Sequence, residues 1–298
     1  MGLVGGKQRT TQPSIGRRTD GLRRFVRTEP LGSLGGVIVL AMVLVAVLAP
    51  WIAPFGPKDV QFGIFQPPGG VHLAGTDNLG RDIFSRVIWG SRLALYVGLI
   101  SVGFSVTLGS LWGLSSGYFG GKYDVISQRL VDVLMGFPPI VLALGLMAVL
   151  GQSINNVIIA LVFLLTPTAA RTMRSSVLSL KEMTYVHSAL AVGNSHWRVL
   201  LVHLVPNALG TYIVLFTVNV AYAIVMEASL SFLGLGTPPD EPSWGGMITA
   251  ATQSMERAPW IILFPGLAIS LMVFGLTLMG DAIRDVTDAK MRGSEDNR

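Results

Sequence analysis

The sequence predicts an all-α polytopic membrane protein with six transmembrane helices and both termini on the inner side. Three observations carry this. Hydrophobic residues make up 51% of the chain and charged residues only 13%, with a mean hydropathy of +0.58, whereas a soluble domain carries about 25% charged residues. Six apolar runs approach the roughly 20 residues that cross a bilayer. With the N-terminus inside, 17 of the 22 Lys and Arg residues fall on inner segments and 5 on outer ones, the bias that sets topology.

The net charge of +5 is therefore read by side of the membrane and gives no reason to expect nucleic acid. The chain has no cysteine, so disulfides, thiolate metal sites and cysteine nucleophiles are excluded.

Taken in order, residues 1–31 form a polar cytoplasmic segment, basic at Arg23, Arg24 and Arg27, suited to anionic headgroups. The next apolar run is long enough to span and no A-x-A site follows it, which argues against a cleaved signal peptide. The spans are placed at 32–53, 93–117, 129–150, 156–173, 208–228 and 260–280. Phe137-Pro138-Pro139 should kink the third span, and Thr166-Pro167-Thr168 interrupts the fourth; neighbouring helices can satisfy the carbonyls so freed. The chain divides into the segment 1–31, a first span with its external segment (32–92), a five-helix core (93–285) holding loops 174–207 and 229–259, and a tail (286–298).

In the second span Gly109, Gly113 and Gly117 recur every four residues and make a flat face for close helix packing, within the chain or against a subunit. Before it, Asp77, Arg81 and Asp82 could bind a ligand or form a charged, capped turn that sets the helix entry angle. After the fifth span, a long apolar loop running from Glu227 past Trp244 should fold back into the protein on the outer face.

Between the fourth and fifth spans lies a polar island, Ser179 to Asn207. Ser179 and Glu182 have capping-box spacing, flanked by Leu178 and Met183 as a staple. Gly193-Asn194 should stop a first short helix; Ser195 should cap a second, which Pro206 ends. The stripe Val199, Leu200, Leu204 suits either a docking surface or an amphipathic element resting on headgroups.

The island resembles the cytoplasmic loop of binding-protein-dependent ABC importer permeases, E-A-A-x3-G-x9-I-x-L-P. Ala189, Gly193 and Pro206 fall in register. His187 stands where the family has Glu, Ser188 where it has the first Ala, His203 where it has Ile and Val205 where it has Leu. GTDxLGRD before span two, EASLSFLGLG after span five, PSWG, and the FPGLAI and GDxIRD pieces of span six are similar to the C-type permease of dipeptide, oligopeptide and nickel importers. The resemblance implies a type I importer permease fold. It also implies coupling to ATPase subunits through His187, Ser188, Ala189, Gly193, His203, Pro206 and Asn207. The implied partners are a second permease, two ATP-binding subunits that hold ATP and Mg²⁺, and an extracytoplasmic substrate-binding protein.

Catalysis by the chain itself is not expected. No G-x-x-x-x-G-K-[ST] occurs, so a P-loop cannot form. His72, His187, His196 and His203 do not group as metal ligands. Gly113-Leu114-Ser115-Ser116-Gly117 fits G-x-S-x-G, but no histidine lies in any later span to act as base. Asp132 and Glu227 near span ends read as salt-bridged or solvated groups, with Arg129 paired to Asp132. A buried ionisable relay would instead point to an ion-coupled transporter or channel that works without ATPase partners.

Overall fold

The computed structural model describes residues 29–295, with side chains through Thr287. The basic segment at Arg23, Arg24 and Arg27 lies outside them. The described residues are helical, with no strand beyond two isolated bridges, Gly69–His72 and Thr76–Asp82. Five helices are long and apolar enough to cross a membrane, six if a pair bent by 85° counts as one span.

Helix α1 (Pro30–Ile52) is mostly exposed. Its glycines let it lie against the last helix, α10 (Trp260–Glu295): a Cβ on Gly35 would stand 2.6 Å from the Gly275 carbonyl oxygen. Helix α2 (Ile83–Phe119) begins ten residues before the span read from the sequence and runs 37 residues without a break. The early start has a local cause. The Asp82 carboxylate accepts from the Ser85 amide at 2.8 Å and caps the helix, so the amphipathic stretch before Leu93 joins the span.

The third span is broken rather than kinked. α3 (Gly121–Met135) and α4 (Pro139–Leu150) meet at 85°. Pro138 and Pro139 in succession remove two amide donors, and a residue before proline is pushed out of the helical region. Asp132 pairs with Arg171 of the helix that follows α4, not with Arg129. Asp124 makes a two-pronged contact with Arg174, at 2.6 and 2.5 Å.

Helix α5 (Ile154–Lys181) absorbs Pro167 and continues past the span read from the sequence. It carries Ser179 inside it, with the hydroxyl donating to the Ser175 carbonyl. The expected capping box at Ser179 and Glu182 therefore does not form; the apolar face of α5, through Val177, stays buried and keeps the helix going. Helices α6 (Thr184–Ala191) and α7 (His196–Arg198) follow, then a π turn (Val199–Leu204) that runs directly into α8 (Val205–Phe232). Pro206 does not end a helix as expected. It sits in the first turn of α8, where proline is tolerated because its amide has no required role. The Val205 amide reaches back five residues to the Leu200 carbonyl, the wider π spacing.

The core is built on α2. Gly109, Gly113 and Gly117 face α5: a Cβ on Gly109 would stand 2.6 Å from Ala169 Cβ, and one on Gly113 2.8 Å from the Arg174 amide. The glycine face is thus an intrachain contact. On its other side Gly98 of α2 approaches Ile224 of α8. Val97, Val102, Val106, Leu161, Ala169, Ala223 and Ile224 are buried between them.

Two connections form a cap at the end of α2 that begins with Asp82. Residues 53–82 fold against residues 233–259, which contain the short helix α9 (Trp244–Ala251) with Trp244, Met247 and Ala251 buried. The loop after the fifth span thus folds back into the protein, as the sequence suggested.

Candidate functional site

The candidate site is the reversal from α5 to α8, residues 182–207. Its first turn is set by Gly193, whose φ is +88°. The Asn194 amide donates to the Ala189 carbonyl at 3.2 Å and the Gly193 amide to the Leu190 carbonyl at 2.9 Å. That pair of bonds is a Schellman C-cap, which needs the left-handed conformation that glycine supplies. Ser195 then caps α7, accepting from the Arg198 amide. Both of these turns were legible in the sequence.

The stripe Val199, Leu200, Leu204 does not face outward. All three are buried, with Val186 and Ala189 of α6 in the same core. The large apolar side chains exposed in the segment are instead Leu190, Val192, Trp197, Leu201 and Val202. The three do share one face, as their spacing suggests, but that face turns inward onto the core rather than toward a partner or the headgroups.

His187 is exposed, with Nε2 4.0 Å from the Glu182 carboxylate. Ser188 donates back to the Thr184 carbonyl and is spent within α6. His203 is half-buried, its ring near Tyr185 at 6.4 Å, and its carbonyl accepts from Asn207 Nδ2 at 2.6 Å. Pro206 and Asn207 thus belong to the joint with α8, apart from the exposed edge at His187 and Val192. Sequence reasoning missed Tyr118 and Phe119 at the end of α2. Tyr118 Oη hydrogen-bonds His196 Nδ1 at 2.9 Å, and the Phe119 ring meets Trp197 edge-on at 5.8 Å. An aromatic pair closing a span, YF before GG, was the available signal.

The second set of sequence-selected residues lies at the opposite end of α2. Asp77 Oδ2 accepts from Arg81 Nε at 2.6 Å, and its Oδ1 accepts from the Leu79 and Arg81 amides. Asp82 meets His72 Nδ1 at 2.9 Å. Asp77, Arg81 and Asp82 are all buried, so they form the capped entry turn rather than an open ligand site. Glu227 is not solvated at a helix end. It is 1% exposed, and its Oε1 accepts from Ser231 and Ser243 at 2.8 and 2.9 Å, which joins α8 to the start of α9. Trp244 seats its indole on Gly90 and donates to the Val87 carbonyl at 3.0 Å.

Family comparison places this architecture. A model described as binding-protein-dependent transport system inner membrane component matches residues 105–293, and one described as N-terminal TM domain of oligopeptide transport permease C matches residues 18–68. The chain belongs to the binding-protein-dependent inner membrane permease family. It is an ABC importer permease, not an ion-coupled carrier or channel, and members of this family are not themselves catalytic. A peptide transport system permease homologue from Brucella suis biovar 1 is 41% identical over 95% of this permease and 96% of its own length. The glutathione transport system permease protein GsiD of Escherichia coli is 40% identical over 91% and 90%. The dipeptide transport system permease protein DppC of Alkalihalophilus pseudofirmus is 37% identical over 90% and 88%. A chain of the inward-facing MetNI methionine ABC transporter shares the fold, with a TM-score of 0.57 at 16% identity over 68% of this permease and 96% of that chain.

Proposed function

We propose that this permease forms half of a translocation pathway for peptides, di- or oligopeptides, or a related small solute in the cell membrane. A homologous second permease supplies the other half. Two ATP-binding subunits carry ATP and Mg²⁺, and an extracytoplasmic binding protein delivers the solute. Both termini and the 182–207 segment lie on the cytoplasmic side, in keeping with the Lys and Arg asymmetry. The segment docks on the ATPase through its exposed edge at His187, Val192, Trp197, Leu201 and Val202. The names of the relatives support peptide as the solute class.

The observation that carries this reading is the Gly193 turn between two packed helices. It presents an apolar and histidine-bearing edge while its own buried side, Val186, Val199 and Leu204, is anchored in the core. Such an element can be pushed without deforming. The test is recovery of the tagged permease from detergent-solubilised native membranes, with companions identified by mass spectrometry. A second permease, P-loop ATPases and a binding protein are expected. Recovery of the permease alone would overturn the proposal.

A further inference from the structure

We infer that α2 is the stiff member that carries movement of the 182–204 segment to the outer cap, with Tyr118 and Phe119 as the positioning residues that attach the segment to it. The inference rests on the coupling role proposed above and adds the path by which motion leaves the segment.

Continuity singles out α2. Among the described crossings, α1 contains Pro50, α5 contains Pro167, α8 begins with the π turn and Pro206, α10 contains Pro265, and α3 and α4 are separate helices. Each of these interrupts the ladder of i to i−4 hydrogen bonds, and such interruptions are where helices bend. Helix α2 has no proline in its 37 residues, and its Gly-Ser steps at 90–91 and 109–110 are braced, the first by Trp244 and the second by the backbone of α5. It is about 55 Å long, well beyond the roughly 30 Å hydrocarbon core, so its ends reach both surfaces.

The inner end grips the second half of the segment. Tyr118 holds His196 by a hydrogen bond and Phe119 holds Trp197 by ring contact. Both contacts fall after the Gly193 turn, next to the exposed edge. Lys181 Nζ also reaches the Gly117 carbonyl at 3.4 Å.

The outer end grips both halves of the cap. Arg86 donates to the Pro57 carbonyl at 2.6 Å and to the Glu241 carbonyl at 3.3 Å. The Phe55 amide donates to Ser85 Oγ, and Trp244 sits on Gly90. Residues 53–57 and 241–244 are thus fixed to the first two turns of the same helix whose last turn holds His196 and Trp197. The chain neighbours of the segment, α5 and α8, each have a bend point between the segment and the outer face. An axial or tilting displacement of α7 therefore passes to the cap through α2.

The test uses the importer assembled with its ATPase partners and binding protein, and a Tyr118→Phe/Phe119→Leu variant. The permease has no cysteine, so nitroxide labels can be placed at Val71→Cys in the cap and Val149→Cys at the end of α4, both exposed. In the double variant, assembly and basal ATP hydrolysis are expected to stay at the wild-type level. Binding-protein-stimulated hydrolysis falls by about fivefold, the scale of one lost hydrogen bond, and the ATP-dependent change in label distance disappears. His196→Gln, which can still bond Tyr118, retains coupling, whereas His196→Ala loses it. An assembled double variant with wild-type stimulation and distance change overturns the inference, as does equal behaviour of His196→Gln and His196→Ala. A wild-type permease that recruits no ATPase fails earlier, at the coupling role itself.

Discussion

A Cβ placed on Gly109 would stand 2.6 Å from the carbonyl oxygen of Thr166. The two helices are therefore in backbone contact at that point, and the same holds one turn further on at Gly113. Gly113→Ala should lower the unfolding midpoint in mild detergent, by about 1–3 kcal/mol, the usual cost of overpacking. Gly113→Leu should do more. Gly103, on the same helix, has nothing within 4 Å of a built Cβ, so Gly103→Ala should leave the midpoint unchanged or raise it. Equal effects at the two positions would refute the close α2–α5 contact.

Gly193 separates conformation from space. No atom lies within 4 Å of a built Cβ, but φ is +88°. Gly193→Ala should cost about 1–2 kcal/mol through the left-handed backbone alone. Gly193→Pro cannot adopt that φ and also loses the amide bond to Leu190. It should abolish binding-protein-stimulated ATP hydrolysis in the reconstituted importer while leaving membrane insertion intact. Normal stimulation in the proline variant would remove Gly193 as the turn that shapes the docking edge.

Two carboxylates on α3 make contrasting ion pairs. The Asp124 and Arg174 side chains are 12% and 28% exposed, whereas Asp132 and Arg171 are 50% and 44% exposed. Asp124→Asn should destabilise by about 1.5–3 kcal/mol, the range for hydrogen bonds to charged groups. Asp132→Asn should cost less than about 1 kcal/mol and lose even that in high salt. Thermal unfolding of the two variants at low and high salt would settle the order, and the reverse ranking would contradict the structure.

Trp244 and Gly90 form a knob and a notch. A Cβ on Gly90 would lie 2.6 Å from the indole. Gly90→Ala should displace Trp244 from its seat and expose it, seen as a red-shifted emission and increased quenching relative to a Trp244→Phe background. An unchanged spectrum would mean that the notch is not what holds the loop.

The cap carries an exposed ionic clasp, Lys58 to Asp240 at 2.7 Å and to Glu241 at 2.9 Å. Lys58 holds the Asp240 carboxyl below its ordinary value of 3.8, and the two carboxylates raise the Lys58 ammonium above 10.5. The lowered carboxyl contributes above its unfolded value and stops contributing as pH falls through the folded one. The raised amine contributes below 10.5 and stops as pH climbs through its own folded value. The clasp is therefore closed across neutral pH. Amide exchange at Asp240, Glu241 and Ser243 should be faster in Lys58→Gln than in wild type at pH 6–8, a difference screened by salt and reduced as pH falls through the Asp240 value. A difference that persists in acid would show that Lys58 acts by packing.

The six crossings, the glycine face and the turns at Gly193 and Ser195 could be read from the chain because each depends on local composition or on one residue's backbone preference. The errors share a physical cause. Ser179 and Glu182 have the spacing of a cap, but the buried face of α5 overrides it. Val199, Leu200 and Leu204 share a face, as their spacing says, but tertiary packing turns that face inward with Val186 and Ala189. Arg129 stands three residues from Asp132, yet Arg171 of another helix takes the pair. Glu227 looked like a headgroup-solvated end, because the hydroxyl of Ser243 that meets it is 16 residues away in the chain. Tyr118 and Phe119 were overlooked for the same reason: their partners lie 78 residues on.

The π turn before Pro206 also fixes the angular phase of everything after it. Successive helical residues are set about 100° apart, and the wide turn at Val199–Leu204 takes up one residue more than an ordinary turn, so its width decides which way all of α8 faces. Removing a single residue there would leave a normal helix with Glu227 still facing Ser243. Tightening the turn with all its residues kept would instead swing Glu227 about a quarter-turn away and bring its buried neighbour Met226 or Ala228 toward the serine. The width of this turn is thereby constrained more tightly than its side chains: a change that closes it is felt at the far end of the next helix, across the membrane.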